Sequence, residues 1–408
     1  MSTKNQKGVH NLEKLYLLLN EYFNEMVEIR RHLHQNPELS FEEIKTPQFI
    51  AEYHRKLGHE VRSDVGCRGV VAKLRGAKPG PTVALRADFD ALPIKEETGV
   101  EYKSKIDGVM HDCGHDGHTA TLLGLAKALN KIKSELEGNV VFIHQHAEEL
   151  PPGGAIAMIK DGCLNGVDVI FGIHLWSTLP LGEVSYREGA IMAATDRFDI
   201  KIQGSGGHGA QPERTKDSIV IASQLVGNLQ QIVSRRVSPL DSAVISVCSL
   251  EAKNPYNIIA DSATLSGTVR TFKESVRQFI EKEIEKVVKG TCVTSDADYH
   301  YEFRRGYPAV INHPEETKFI AEVSKKVPGV DSVTEFEPNM GGEDFAYYLQ
   351  HVKGTFFFTG ASVSDPKEIY PHHHPKFNFD ERGMLIAAQV LGSATLQYMN
   401  LKQITTIS

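Results

Sequence analysis

The sequence predicts an α/β protein: a larger domain on a mixed, mainly parallel sheet, interrupted by a smaller ferredoxin-like α+β domain. Three observations predict it. Apolar strand-like runs alternate with helical patterns up to about Ala193, a β-α-β-β-α-β order fills 193–305, and the alternation resumes from His313 to a long terminal helix. A chain of 408 residues is too long for one core, so the expected domains are 1–192 with 306–408, and 193–305.

Residues 11–34 carry Leu12, Leu15, Leu19, Tyr22, Phe23, Met26 and Ile29 at helical spacing, and Asn36-Pro37 stops that helix. Thr46-Pro47 supplies an N-cap and first-turn proline for a second helix, closed by Gly58. The runs 69–74, 82–85, 139–144 and 169–173 read as strands, with helices beginning near His118 and at Gly154. In the middle domain, strands are expected over 196–203, 243–250, 263–271 and 298–305, and helices over 218–233 and 275–289. The last helix is expected over 380–401.

Net charge is −7 without any basic run, which removes the electrostatic footprint of a nucleic-acid binder. The cysteines at 67, 113, 163, 248 and 292 are scattered and odd in number, as expected of reduced thiols in the cytoplasm. Neither a hydrophobic signal region near the first residues nor a bilayer-length apolar run is evident, so no membrane partner is expected.

The densest chemistry lies in Met110–Thr121, which brings His111, Asp112, Cys113, His115, Asp116 and His118 together around Gly114 and Gly117. Thiolate, imidazole and carboxylate form a ligand set suited to zinc, manganese or a similar divalent ion. A polar helix-capping loop would explain one histidine, but it is the weaker account of so many neighbouring ligands. Polar residues also close three predicted strands: Asp88 and Asp90 after 82–85, Glu148-Glu149 after 139–144, and His174 after 169–173. In open α/β sheets ligands gather at the carboxyl ends of strands, so these groups are expected to converge.

Along an extended backbone Glu148 and Glu149 would point in opposite directions, one to a metal and one to substrate as a base. A solvated acidic pair is the bland account of them, and His174 alone reads as a core histidine. The segment 204–210 is glycine-rich but lacks both the P-loop lysine and the G-x-G-x-x-G spacing; it presents His208 at a tip instead. One of His372, His373 and His374 is expected to join the metal site.

The chain carries R-R-x-L-H-x-N-P-E-L-S at 30–40, R-A-D-F-D-A-L-P-I at 86–94, H-D-C-G-H-D-G-H-T-A at 111–120 and A-E-E at 147–149. G-I-H-L-W at 172–176, G-G-H-G-A-Q-P at 206–212, N-I-I-A-D at 257–261 and G-T-V-R-T-F at 267–272 follow. M-G-G-E-D-F-A-Y-Y at 340–348 and H-H-P-x-F-x-F-D-E at 373–381 complete the series. These ordered motifs resemble the metal-dependent amidohydrolases that include aminoacylases, carboxypeptidase G, hippurate hydrolases and indole-acetyl-amino-acid hydrolases, with the last two branches nearest.

The resemblance implies two divalent ions (Zn, Mn, Co or Ni) held by Cys113, His115, Glu149, His174 and His373. It implies Glu148 as general base on the activated water, and Asp90 as the acid that orients a metal ligand. His208 would polarise the scissile carbonyl from a lid and dimerisation domain, reaching the neighbouring subunit's site, so a homodimer is expected. Asn257 and Arg270 would grip the substrate carboxylate, a task suited to a guanidinium.

The implied reaction cleaves the amide of an N-acyl amino acid to a carboxylic acid and a free amino acid. A dipeptidase or carboxypeptidase on the same site is the alternative, and a non-catalytic binding protein is a third, disfavoured by the presence of every ligand and of Glu148. Departures lie at His146, where relatives carry Pro, at Leu150, at Glu213 and at the extra His372. His373 fits the register best, with His374 as its alternative.

Overall fold

In this computed structural model, residues 3–405 are described, with side chains from His10 to Leu401. The chain divides into two compact units, the second comprising Met192–Val310 and Pro338–Glu343 and the first the remainder. The expected inserted segment, 193–305, ran short. Pro338–Glu343 joins the second unit because Ala193 N–H donates to Asn339 O and Gly341 O, both at 3.0 Å.

The first unit is built on an eight-stranded sheet. From edge to edge its strands are Glu60–Val65, Gly69–Arg75, Glu137–Gln145, Lys78–Asp88, Val169–Trp176, Gly354–Gly360, Glu183–Tyr186 and Ser332–Glu335. The central four run parallel, so their carboxyl ends share one edge. Gly69–Arg75 is antiparallel to both of its neighbours. Glu60–Val65 escaped the sequence reading because an edge strand with only Val65 buried shows no apolar run.

Strand pleating sets the layers. Val83, Leu85 and Ala87 join a core with Phe142, Phe171, Leu123 and Leu391, which sends Arg86 and Asp88 to the opposite face. The helix expected over 11–34 is two, Thr3–Glu21 and Phe23–Gln35, with Tyr22 between them at φ −91° and ψ 2°. The helix Lys45–Lys56 is not capped by Thr46. The Glu38 carboxylate accepts instead from the N–H groups of Ile44, Lys45 and Thr46 at 2.8–3.0 Å, placing negative charge at the positive helix end.

The second unit contains an antiparallel sheet in the order Ala243–Glu251, Ser262–Thr271, Ala194–Gln203, Asp298–Arg305. Helices Ser218–Gln231 and Glu274–Val293 bury Leu225, Leu229, Ile280 and Ile284 against Phe198, Ile200 and Val269. The spatial order 2-3-1-4 of these strands is the ferredoxin-like arrangement that the element order predicted. Asp217 caps the first of these helices, accepting from Ile219 N–H at 2.9 Å.

Beneath the helix Lys45–Lys56, three imidazoles form a buried chain: His54 Nδ1 to His59 Nδ1 and His54 Nε2 to His144 Nε2, both 2.9 Å. Burial drives all three towards the neutral form, His59 down to about 4, His144 to about 3 and His54 well below its ordinary value. The unfolded chain takes up these protons near pH 6.5 while the folded chain resists, so acid favours unfolding. The melting temperature should fall as pH drops from about 6.5 to about 4, and His144→Phe should show a shallower fall. Identical pH dependence in the two proteins would show that this chain does not contribute.

Candidate metal centre and active site

The cluster predicted at Met110–Thr121 is organised by the start of a helix. That helix, His115–Lys131, begins one turn earlier than expected, after Gly114 in a left-handed conformation at φ +94°. Gly117 is needed for close approach, since a Cβ there would lie 2.5 Å from Phe379 Cζ and 2.8 Å from Leu175 Cδ1. The early start puts His115 and His118 on one helix face, three residues apart.

The two histidines do different work. His115 Nδ1 lies 3.0 Å from Asp90 O and 3.2 Å from Asp90 Oδ1, which fixes the proton on that nitrogen. Its Nε2 is buried without a hydrogen-bond partner and lies 3.7 Å from Asp88 Oδ2, 3.8 Å from Glu149 Oε1 and 4.0 Å from Glu148 Oε2. In His118 both nitrogens are engaged: Nδ1 at 2.6 Å from Asp88 Oδ1, and Nε2 accepting from Leu175 N–H at 2.9 Å. His118 therefore ties the Asp88 strand end to the strand that presents His174.

Cys113 Sγ lies 3.4 Å from His174 Nε2, and His174 Nδ1 is bonded to Leu175 O at 2.8 Å. Cys113, His115 and Glu149 form one group whose ligand atoms lie within 4.8 Å of one another; Cys113, His174 and His372 form a second. The thiol belongs to both. Of the histidine triplet, His373 Nε2 is 3.2 Å from Glu149 Oε1, and its backbone sits at φ +65°. His374 stacks on Tyr370 with ring centroids 4.6 Å apart and accepts from Lys376 N–H, so it is not part of the cluster. His372 packs against His174 and Trp176 instead, a placement that sequence spacing did not single out.

Glu148 and Glu149 do not diverge as an extended backbone would require. Ala147 before them adopts a left-handed conformation at φ +49°, and the chain bends there, so both carboxylates approach His115. Asp90 Oδ2 accepts from Glu149 N–H at 3.0 Å and from Ser40 Oγ at 2.7 Å.

These orphaned and crowded atoms fit a cation. Burial alone would lower the His115 imidazole, but the carboxylates of Asp88, Asp90 and Glu149 push it up to about 10, so a proton supplies positive charge there. Burial and the Glu149, Glu148 and Asp88 carboxylates hold the Cys113 thiol well above its ordinary value. A divalent ion would relieve both, replacing the proton on Nε2 and stabilising the thiolate.

Behind this cluster lies a buried network that the sequence reading missed. Arg86 Nη1 donates to Asp88 Oδ2 at 2.6 Å, Nε to Gln145 Oε1 at 2.9 Å and Nη2 to Asp344 Oδ1 at 3.0 Å. Asp344 also accepts from Gln145 Nε2 and from Ala155 N–H. The available signal was Arg86 itself, a charge inside an apolar strand.

In the second unit, His208 pairs with Ile258 in a two-residue ladder, and Gly209 N–H donates to Asn257 O at 2.8 Å, so exposed His208 and Asn257 share one patch. Arg270 is near the far end of the strand Ser262–Thr271, roughly 25 Å from Ser262 at ~3.3 Å per residue. It donates to Thr268 Oγ1 and Val269 O. Asn257 precedes the opposite end of that strand in the chain.

Residues 84–397 match the peptidase family M20/M25/M40, and the chain belongs to that family. It is 60% identical to YhaA of Bacillus subtilis (strain 168), named an amidohydrolase, over 93% of this chain and 96% of that protein. It is 47% identical to the N-acyl-L-amino acid amidohydrolase of Geobacillus stearothermophilus, over 74% of this chain and 82% of that one. Among solved structures, the Bacillus subtilis YXEP protein, described as a dinuclear metal binding peptidase of the M20 family, superposes with a TM-score of 0.81 at 34% identity. That match covers 93% of this chain and 99% of that one. The protein is a hydrolase of this family.

Arg86→Met would leave Asp88 and Asp344 buried without their cation. Urea unfolding should show a loss of about 3–5 kcal/mol. A loss below about 1 kcal/mol would mean that the two carboxylates are neutral in the folded protein.

Proposed function

We propose that this protein hydrolyses the amide bond of N-acyl amino acids, releasing a carboxylic acid and a free amino acid. The observation that carries the reading is the approach of two adjacent glutamates, Glu148 and Glu149, to the buried Nε2 of His115 beside Cys113. Cys113, His115, Glu149, His174 and His373 would hold two divalent ions, of zinc, manganese, cobalt or nickel, with Cys113 common to both positions. When bound, such ions lower the pKa of a water and neutralise oxyanion charge.

In this reading Glu148 takes the proton of the attacking water and delivers it to the leaving nitrogen as the C–N bond breaks. Asp90 orients His115 through Nδ1 and holds Glu149 through its backbone. Arg270 and Asn257 bind the substrate carboxylate, and His208 polarises the scissile carbonyl. Arg270 lies near one end of the strand Ser262–Thr271 and Asn257 precedes its other end, roughly 25 Å away at Ser262, so in this reading a pocket using both takes them from two copies. This supports a homodimer, with the second unit as lid and dimer contact and the first as the metal-binding domain. The free state of all five cysteines fits a cytoplasmic setting, and no described helix is long and apolar enough to cross a membrane.

The family's description as peptidases favours one competitor, a dipeptidase or carboxypeptidase on the same site. Amino-acid release by the metal-reconstituted protein from N-acetyl, N-benzoyl and dipeptide substrates separates them. Release chiefly from N-acyl substrates is expected, and a preference for free dipeptides would promote the peptidase. Glu148→Gln should lower kcat by about 100-fold or more while bound metal stays at the wild-type level. Near-normal turnover would remove Glu148 as the base. Cys113→Ala should lower the bound metal measured by elemental analysis, and unchanged stoichiometry would reject the thiolate ligand.

A further inference from the structure

Glu43 is fully buried and has no part in the roles assigned above. Its Oε1 accepts from Ala147 N–H at 2.8 Å, and Ala147 O accepts from Gly154 N–H at 3.1 Å. Ala147 is the left-handed residue at which the chain bends to bring Glu148 and Glu149 to one side. A residue with a β-carbon rarely adopts that conformation unless its surroundings hold it there.

The main chain is also pinned on the far side of Glu148, where Glu149 N–H donates to Asp90 Oδ2. Two carboxyl groups from different elements thus bracket Glu148, Glu43 before it and Asp90 after it. The segment that carries Glu43 is itself anchored. Arg68 Nε donates to Phe41 O and its Nη1 to Glu43 O, both at 2.8 Å, with Phe41 at φ +67°. Burial, with Asp90 nearby, pushes the Glu43 carboxyl up to about 7. Protonated or not, it keeps an oxygen for Ala147, and a glutamine would do the same.

We propose that Glu43 is a positioning residue for Glu148, holding Ala147 in the left-handed turn that aims the Glu148 carboxylate. The inference rests on the reading of Glu148 as the base. Glu43→Gln retains the acceptor and Glu43→Leu removes it. Glu43→Leu should lose about 100-fold in kcat with KM and bound metal near wild type, whereas Glu43→Gln should stay within about threefold. Adding Ala147→Gly, which tolerates the left-handed conformation unaided, should restore part of the kcat lost in Glu43→Leu.

Amide hydrogen exchange at Ala147 gives a readout free of turnover, with acceleration expected in Glu43→Leu and wild-type protection in Glu43→Gln. Wild-type exchange at Ala147 in Glu43→Leu overturns the proposal whatever the activity. So does a kcat as low in Glu43→Gln as in Glu43→Leu, or a loss that tracks bound metal. With active wild type and silent Glu148→Gln, undiminished turnover in Glu43→Leu overturns the positioning role alone. An active Glu148→Gln overturns the base assignment instead.

Discussion

The structure around the candidate centre depends on one electrostatic constraint: Asp88, Asp90 and Glu148 are buried, and Glu149 half-buried, around a single imidazole. Carboxylates removed from water must find hydrogen bonds or positive charge, or else take up protons. Asp88 finds Arg86 and His118, and Asp90 finds Ser40, His115 and the Glu149 amide. The two glutamates approach His115, with His373 beside Glu149, and a cation there would complete the balance. The parallel sheet makes this crowding achievable, because its central strands end along one edge and deliver these groups there.

The same constraint explains why the supporting residues are so heavily bonded. His118 has both nitrogens engaged, and the Arg86 guanidinium reaches three side chains from different elements. Such contacts fix direction as well as charge. A site whose charges merely balanced would tolerate wandering side chains; one that presented Glu148 to a substrate, as proposed, would not.

The sequence revealed what is local. The ligand-rich stretch after Met110, the acidic pair and the β-α-β-β-α-β order all lie in short contiguous segments whose periodicity survives without tertiary information. Long-range contacts stayed hidden. Asp344 meets Arg86 across 258 residues, and Pro338–Glu343 joins a unit whose main segment has already ended. The left-handed Ala147 was invisible for another reason: alanine gives no turn signal, and the conformation is stabilised by Glu43, far away in the chain. The helix break at Tyr22 and the external cap by Glu38 were missed because local spacing favoured simpler solutions.

Cys113 belongs to both of these ligand groups, so one sulfur faces two sets of imidazole and carboxylate partners. If ions occupied both groups, as proposed, a single thiol deprotonation would serve the two of them. Proton release on loading would then count one thiol for two ions, where separate thiolate sites would count two.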